Sequence, residues 1–432
     1  MYTLLKNNIC QTLAVVVVSH GIFLTGFTYS FGDVVSEQAY QTQEVLSNLK
    51  DSAWNSIGCL ISAYTIEILG RKKTIQICFV SFFCASLLSV LNSSTVVTSV
   101  SHAVTAVSLG TKPVFIIYVL EVSQKNHRGM FISFYLIFGS FGFASSYVLQ
   151  YYFKLEILAA ASVIIAAVGF CGTTLLPETK YWYIISNQID KAKNSSSWFN
   201  SSQTKDDIDK EMNRINNNAL ESRLNKYKNF WVATALLICR AGSGKVMFAL
   251  YPNTYYLPFK ADLLGFPLPL VHNLAAFLLT VAFTAIIDQF KRRHLLYFST
   301  LSAILAITTV MIINYLVSPS TVVYAIVQPT LLLLHGAMTD GFLDGLITVL
   351  TAEMISVYVK RGALLNASYF CSFILQILYA MFYPYVLNSF DLNLLLLTFL
   401  INNFIMLTLN AFYVPETSNK DLDEFGLFVT SI

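Results

Sequence analysis

Glu67-Ile68-Leu69-Gly70-Arg71-Lys72-Lys73 closes a long apolar run with an acid, a glycine and three bases. Asp288-Gln289-Phe290-Lys291-Arg292-Arg293 closes another run with nearly the same pattern about 220 residues later. A helix of about 20 mostly apolar residues spans the hydrocarbon of a bilayer. Each stretch therefore reads as the point where a spanning helix leaves the membrane. Composition agrees: the chain is 55% hydrophobic and 12% charged, with mean hydropathy +0.60. Soluble proteins carry about 25% charged residues, so most of this surface faces lipid. The net charge of +3 is small and scattered, which argues against a nucleic-acid partner.

Apolar segments fall at about 9–31, 45–67, 74–91, 96–120, 130–150 and 155–176. They resume at about 230–251, 268–288, 295–317, 321–350, 363–385 and 392–414. This gives twelve predicted spans in two sets of six. Segment 2 is the least apolar, because Lys50 and Asp51 interrupt it. The first span has no small-residue cleavage site and reads as uncleaved. The chain thus divides into a first bundle over 1–176, a polar linker over 177–229, and a second bundle with its tail over 230–432. Within the linker, Asn194-Ser195-Ser196-Ser197 reads as flexible coil, and Lys205 to Lys228 reads as short amphipathic helices.

Lysine and arginine set the orientation. The connections after segments 2, 4, 8 and 10 hold Arg71, Lys72, Lys73, Lys125, Arg128, Lys291, Arg292, Arg293, Lys360 and Arg361, against Lys50, Lys154 and Lys260 on the other side. The even-segment exits, the linker and both termini are therefore predicted to be cytoplasmic.

Each even exit has an echo six segments later. Glu121 precedes Arg128-Gly129, and Glu353 precedes Arg361-Gly362. Pro177-Glu178-Thr179 after segment 6 matches Pro415-Glu416-Thr417 after segment 12. Such a repeat is expected of transporter halves related by an axis along the membrane normal. An acid at a helix end can pair with an arginine of a neighbouring helix in one conformation and release it in another. Glu67, Arg71, Glu121, Arg128, Asp288, Arg292, Glu353 and Arg361 are the predicted gating residues.

The sequence resembles the sugar porter family of the major facilitator superfamily over nearly its whole length. Glu67 to Lys72 is similar to that family's acid-x-x-Gly-Arg-Arg/Lys signature, in the form most like insect facilitated trehalose transporters. Glu121 with Arg128-Gly129 resembles its Glu-x6-Arg-Gly motif, and Asp288 to Arg293 its second-half copy, with Lys291 where Gly is usual. Pro415 to Lys420 resembles its Pro-Glu-Thr-Lys-Gly-Lys tail. The resemblance implies an all-α membrane protein of twelve transmembrane helices in two six-helix bundles, a central site and alternating access. It also implies a sugar, of the hexose or trehalose class, carried by facilitated diffusion across the plasma membrane. Proton-coupled members have an Asp in segment 1 where this chain has Thr28, and Asp33 lies further outward.

The family's sugar-binding amides are not kept. Leu136, Cys239 to Val246, Thr348 and Ser372-Phe373 stand where Gln, Asn or Trp would be, and Gln376 lies near the position of a further Asn. Charges occupy the cavity segments instead: Lys112 in segment 4, Arg240 and Lys245 in segment 7, Asp340 and Asp344 in segment 10. Intramembrane charges cost about 2.5–3.5 kcal/mol each on insertion scales, so they face partners or water. Depth along straight helices at about 1.5 Å per residue predicts an Arg240–Asp340 ion pair, and leaves Lys112 to Asp344 or to an anionic solute. The predicted substrate-binding set is Lys112, Arg240, Lys245, Asp340, Asp344, Thr348, Phe373 and Gln376. The alternatives are a carrier of an organic anion or other charged solute, and a nutrient sensor that does not transport.

The seven cysteines and six histidines have no metal-ligand spacing, so neither a metal nor a cofactor is predicted. The histidines, His20 and His335 included, read as helix-packing residues. Ser243-Gly244-Lys245 lacks the upstream Gly and downstream Ser/Thr of a phosphate loop, and no enzyme motif is visible.

Overall fold

The structure, a computed structural model, describes residues 9–29, 40–91, 95–150, 152–200, 206, 208–210, 213, 228–245, 247, 268–317, 322–355, 360–389, 392–420 and 422. Asp33, Lys260 and most of the stretch from Lys205 to Lys228, about which the sequence makes predictions, lie outside these residues.

In the described residues there is no strand, and helices occupy all twelve segments in order. Segments 1 to 3 are Ile9–Tyr29, Tyr40–Ile68 and Arg71–Leu91. Segment 4 is two helices, Thr95–Gly110 and Lys112–Val122; segments 5 and 6 are Arg128–Leu149 and Leu155–Thr174. Segment 7 runs from Lys228–Arg240 into a wider π turn, Ala241–Lys245. Segments 8 and 9 are Leu268–Ile286 and Arg292–Leu316. Segment 10 runs through Val322–Met338, a second π turn Thr339–Leu343, and Asp344–Met354; segments 11 and 12 are Arg361–Ser389 and Leu392–Phe412. Lipid offers no partner for backbone N–H and C=O groups, so helices, which satisfy their own, are the form such segments take.

Among the described residues, eight of these helical runs are long and apolar enough to cross a bilayer, in segments 1, 3, 4, 5, 6, 9, 11 and 12. The chain is a multi-pass, all-α membrane protein. The described apolar helix of segment 8, Leu270–Ile286, is shorter. Segment 2 packs against segments 4 and 11, where Ser62 Oγ donates to Asn366 Oδ1 at 2.6 Å. Every residue of Asp344–Met354 is buried. The two halves meet along two helix pairs, segment 2 with segment 11 and segment 5 with segment 8. Leu305, Ile164 and Val96 face outward, exposed as lipid-facing side chains are.

One linker expectation is corrected. Asn194 to Ser197 is helical, inside Ile189–Phe199, which comes after a short helix Lys180–Ile185. Ser195 and Ser196 are buried, and Ser195 Oγ donates to Glu178 O at 2.5 Å. A serine run is free to be coil only while its hydroxyls face water; here burial and a carbonyl partner hold it in a helix.

Candidate functional site

Three of the segments that carry buried charge are broken where the charge sits. In segment 4, Pro113 comes directly after Lys112 at the start of the lower helix. Proline has no N–H and cannot continue the ladder above it. In segment 7 the π turn contains Gly244 at φ +108° and ends at Lys245. In segment 10 the π turn carries Asp340 and leads at once into Asp344. Irregular backbone at membrane depth is tolerated where protein or a water-filled cavity surrounds it. Such a cavity lies there, about 130 Å³, between segments 1, 4 and 5 of the first half and 7, 8 and 10 of the second.

Lys112, Lys245, Asp340 and Asp344 line it. The predicted Arg240–Asp340 pair is not formed. Arg240 Nη1 bonds Asp344 Oδ1 at 2.7 Å, and the guanidinium lies 5.3 Å from the centre of the Tyr369 ring. Lys245 Nζ holds the other oxygen, Asp344 Oδ2, at 2.6 Å and lies 3.7 Å from Asp340 Oδ1. Asp340 Oδ2 meets His272 Nε2 at 2.8 Å. Counted from the face that Phe230 and Glu353 share, Asp344 stands nearer the depth of Arg240 than Asp340 does, and both π turns lie beyond the pair that forms. Lys112 forms no ion pair or hydrogen bond among the described residues.

The other members of the predicted set are placed away from the cavity surface. Arg240 reaches it only through Asp344. Thr348 is fully buried one turn inward of Asp344. Phe373 packs on the apolar core, and Gln376 is half-buried outside the lining. Leu136 of segment 5, which stands where the resemblance expects an amide, lines the cavity, and sequence reasoning missed the rest of the lining from segments 5 and 8. Ser140 and Thr280 face each other across the halves with hydroxyls 3.2 Å apart, and His272 and Asn273 complete that wall. The adjacent polar pair His272-Asn273, close to the start of an apolar run, was the available signal.

The helix ends that carry the repeated acidic and basic motifs form a second constellation. Arg71 clasps Glu121 with two hydrogen bonds of 3.1 Å, Nε to Oε2 and Nη2 to Oε1. Thr179 Oγ1 donates to Glu121 Oε2 at 2.6 Å. Glu178 accepts Lys72 N and Thr179 N, each at 2.8 Å. Burial pushes the Glu178 carboxyl up to about 7, and those two backbone donors pull the other way. The second half repeats the plan. Thr417 Oγ1 donates to Glu353 Oε2 at 2.6 Å, with Arg292 Nε 3.7 Å from the same oxygen. Glu416 accepts Arg292 N at 3.0 Å and Arg293 N at 3.3 Å.

Two carboxylates cross between halves. Glu67 Oε1 accepts Ala363 N at 3.1 Å, in the first turn of segment 11. Asp288 Oδ2 accepts Met130 N at 2.7 Å, in the first turn of segment 5. A carboxylate at a helix N-terminus is favoured by the unpaired N–H groups and the dipole there. The glycines of the two Arg-Gly pairs make room for them. A Cβ on Gly129 would lie 2.3 Å from Asp288 Oδ1, and one on Gly362 would lie 2.7 Å from Glu67 Oε1. Arg128 and Arg361 reach carbonyls instead of carboxylates: Arg128 Nη1 donates to Lys420 O at 3.1 Å, and Arg361 Nε to Ile355 O at 2.8 Å. The inner ends of the two halves are thus bonded together beneath the cavity.

Residues 9–427 match the model of a family described as sugar (and other) transporter. The chain belongs to that family. Two relatives illustrate its place there. The facilitated trehalose transporter Tret1 of Polypedilum vanderplanki is 22% identical over 96% of this chain and 87% of its own. Tret1 of Apis mellifera ligustica is 23% identical over 67% of this chain and 62% of its own, so the aligned part spans under two thirds of that relative. Among solved structures, the major facilitator proton:xylose symporter XylE bound to 6-bromo-6-deoxy-D-glucose gives a TM-score of 0.83 at 15% identity, over 97% of this chain and 99% of that one. The inward-open conformation of XylE from E. coli gives 0.66 at 16% identity, over 97% and 98%. The fold is therefore the major facilitator fold, and the family is that of the sugar (and other) transporters.

Proposed function

We propose that this protein carries a sugar across the plasma membrane by facilitated diffusion, with both termini and the 177–229 linker in the cytoplasm. The halves 1–176 and 230–432 rock about the central cavity, so that it opens to one side and then the other. A solute that binds the two states unequally shifts the balance between them. The observation that carries this reading is the pair of carboxylates, Glu67 and Asp288, each bonded to a helix of the other half on one side of a cavity built from both. Glu67, Arg71, Glu121, Arg128, Asp288, Arg292, Glu353 and Arg361 hold the inner face closed, and their release opens it.

The family and the named relatives support a sugar of the hexose or trehalose class. The cavity, about 130 Å³, is small beside the roughly 300–1,000 Å³ of sites for drug-sized ligands, which favours a single-ring sugar over a disaccharide. Thr28, buried and bonded to its own helix at Leu24 O, supports uncoupled movement. The test is uptake by proteoliposomes of labelled glucose, trehalose and sugar acids, with and without a proton gradient. Saturable uptake that needs no gradient is expected. Absence of saturable uptake of every sugar overturns the reading; a strict need for an inward proton gradient overturns its uncoupled part.

A further inference from the structure

The cavity lining together with Arg240, which is bonded to it through Asp344, holds more basic than acidic groups. Both oxygens of Asp344 are taken, Oδ1 by Arg240 and Oδ2 by Lys245. Asp340 Oδ2 is engaged with His272, and its Oδ1 lies buried without a hydrogen bond, 3.7 Å from Lys245 Nζ. Lys112 faces this cluster from the other half and lines the same cavity, with no carboxylate within ion-pair distance among the described residues. Among the described residues three cations thus meet two carboxylates, and Lys112 is the one cation of the three with no carboxylate at ion-pair distance. A lone charge at this depth is costly and is retained where something neutralises it. The hydroxyls of a neutral sugar bring hydrogen bonds but no charge.

We propose that the solute of this cavity is an acidic monosaccharide, a sugar carrying a single carboxylate, with Lys112 as the residue that receives it. The inference rests on the sugar-transport reading above. The carboxylate meets the Lys112 ammonium on the first half. Asp340 Oδ1, an open acceptor on the second half, takes a hydroxyl hydrogen, and the Ser140 and Thr280 hydroxyls between them serve the ring. Bound in this way, the solute touches both halves and balances the cavity's charge.

The probe is labelled D-glucuronate, offered to proteoliposomes containing the full chain beside labelled D-glucose and trehalose. Saturable glucuronate uptake is expected, inhibited by excess unlabelled glucuronate more than by equal glucose. Movement of a monoanion is electrogenic, so an inside-positive potential of about 59 mV raises its equilibrium accumulation about tenfold. Lys112→Met raises KM for glucuronate at least tenfold, the size expected for losing a charge-assisted hydrogen bond, and Lys112→Arg largely restores it. Glucose or trehalose uptake that excess glucuronate does not touch overturns the inference and leaves sugar transport standing. Undiminished glucuronate uptake by Lys112→Met overturns the role given to Lys112. No uptake of any of the three sugars overturns the transport reading and this inference with it. Competition in the parent protein decides the matter even where a variant fails to fold.

Discussion

The two inner latches are copies in sequence and differ in geometry. In the first, Arg71 closes on Glu121 with two bonds, both side chains being almost wholly buried. In the second, Arg292 Nη2 bonds Asp288, four residues back on its own side of the turn, at 2.7 Å; Nη1 bonds Ile287 O. Its contact with Glu353 is 3.7 Å. The residue before each arginine accounts for the difference. Gly70 sits at φ +91°, a conformation open to glycine and costly for other residues. That turn, with the Glu178 oxygen where a Cβ would be, aims Arg71 at segment 4. Its counterpart Lys291 has φ −64° and ψ 135°, ordinary extended backbone, and Arg292 falls back on its own helix end. Across the halves the two copies agree: each acid caps a helix of the other half.

The largest expected effect comes from breaking the tighter latch. Glu121→Ala leaves Arg71 buried without its partner, which costs about 3–5 kcal/mol. Glu353→Ala removes the looser contact and costs less. Thermal unfolding of both variants in detergent checks this ordering, and equal losses would remove the asymmetry. Next is the pH dependence of the first latch. The folded Glu178 carboxyl, raised to about 7 by burial, binds its proton more tightly than the unfolded chain does. Its stabilisation is complete below the ordinary carboxylate range and is lost as pH rises through about 7. The melting temperature therefore falls between about pH 5 and pH 8, by at most about 3 kcal/mol in stability, and Glu178→Gln removes most of that slope.

Smaller effects are expected where the halves join. Gly129→Ala and Gly362→Ala push the capping acids off segments 5 and 11, and each loses a charge-assisted bond of about 1.5–3 kcal/mol. A single cysteine placed at the inner face then reacts at least tenfold faster with a water-soluble maleimide; an unchanged rate means the caps do not hold the inner face closed. The smallest change sharpens the comparison most. Lys291→Gly restores the freedom that Gly70 has, frees Arg292 to close on Glu353, and slows inner-face labelling by a factor of about five, near 1 kcal/mol. Faster labelling would show that the backbone at 291 does not set the second latch.

The frame was legible in the sequence because it is written in charge at the ends of apolar runs, and those ends are repeated. Glu67, Asp288 and the Pro-Glu-Thr pairs needed no structure to be matched. The cavity was half legible. Lys112, Lys245, Asp340 and Asp344 stood out as charges at depth, and all four line it. Their pairing was not fixed, because a depth match allowed within about one helical turn of 5.4 Å admits Asp340 and Asp344 alike. Segments 5 and 8 offered hydroxyls and one histidine in place of charges, a pattern that ordinary helix packing also produces. The helix at Ile189–Phe199 was hidden for a related reason, since serines signal coil or helix according to burial, which sequence alone does not state.

Segment 2 carries a consequence for how the protein is made. Ser62 is bonded to Asn366, 304 residues later in the chain, and segment 11 covers the flank on which it lies. Ribosomes add about 5–20 residues per second, so for some 15–60 seconds of synthesis that polar flank has no segment 11 to cover it. During that interval Ser62 lacks its native partner on segment 11, and a polar group left without one in hydrocarbon is costly.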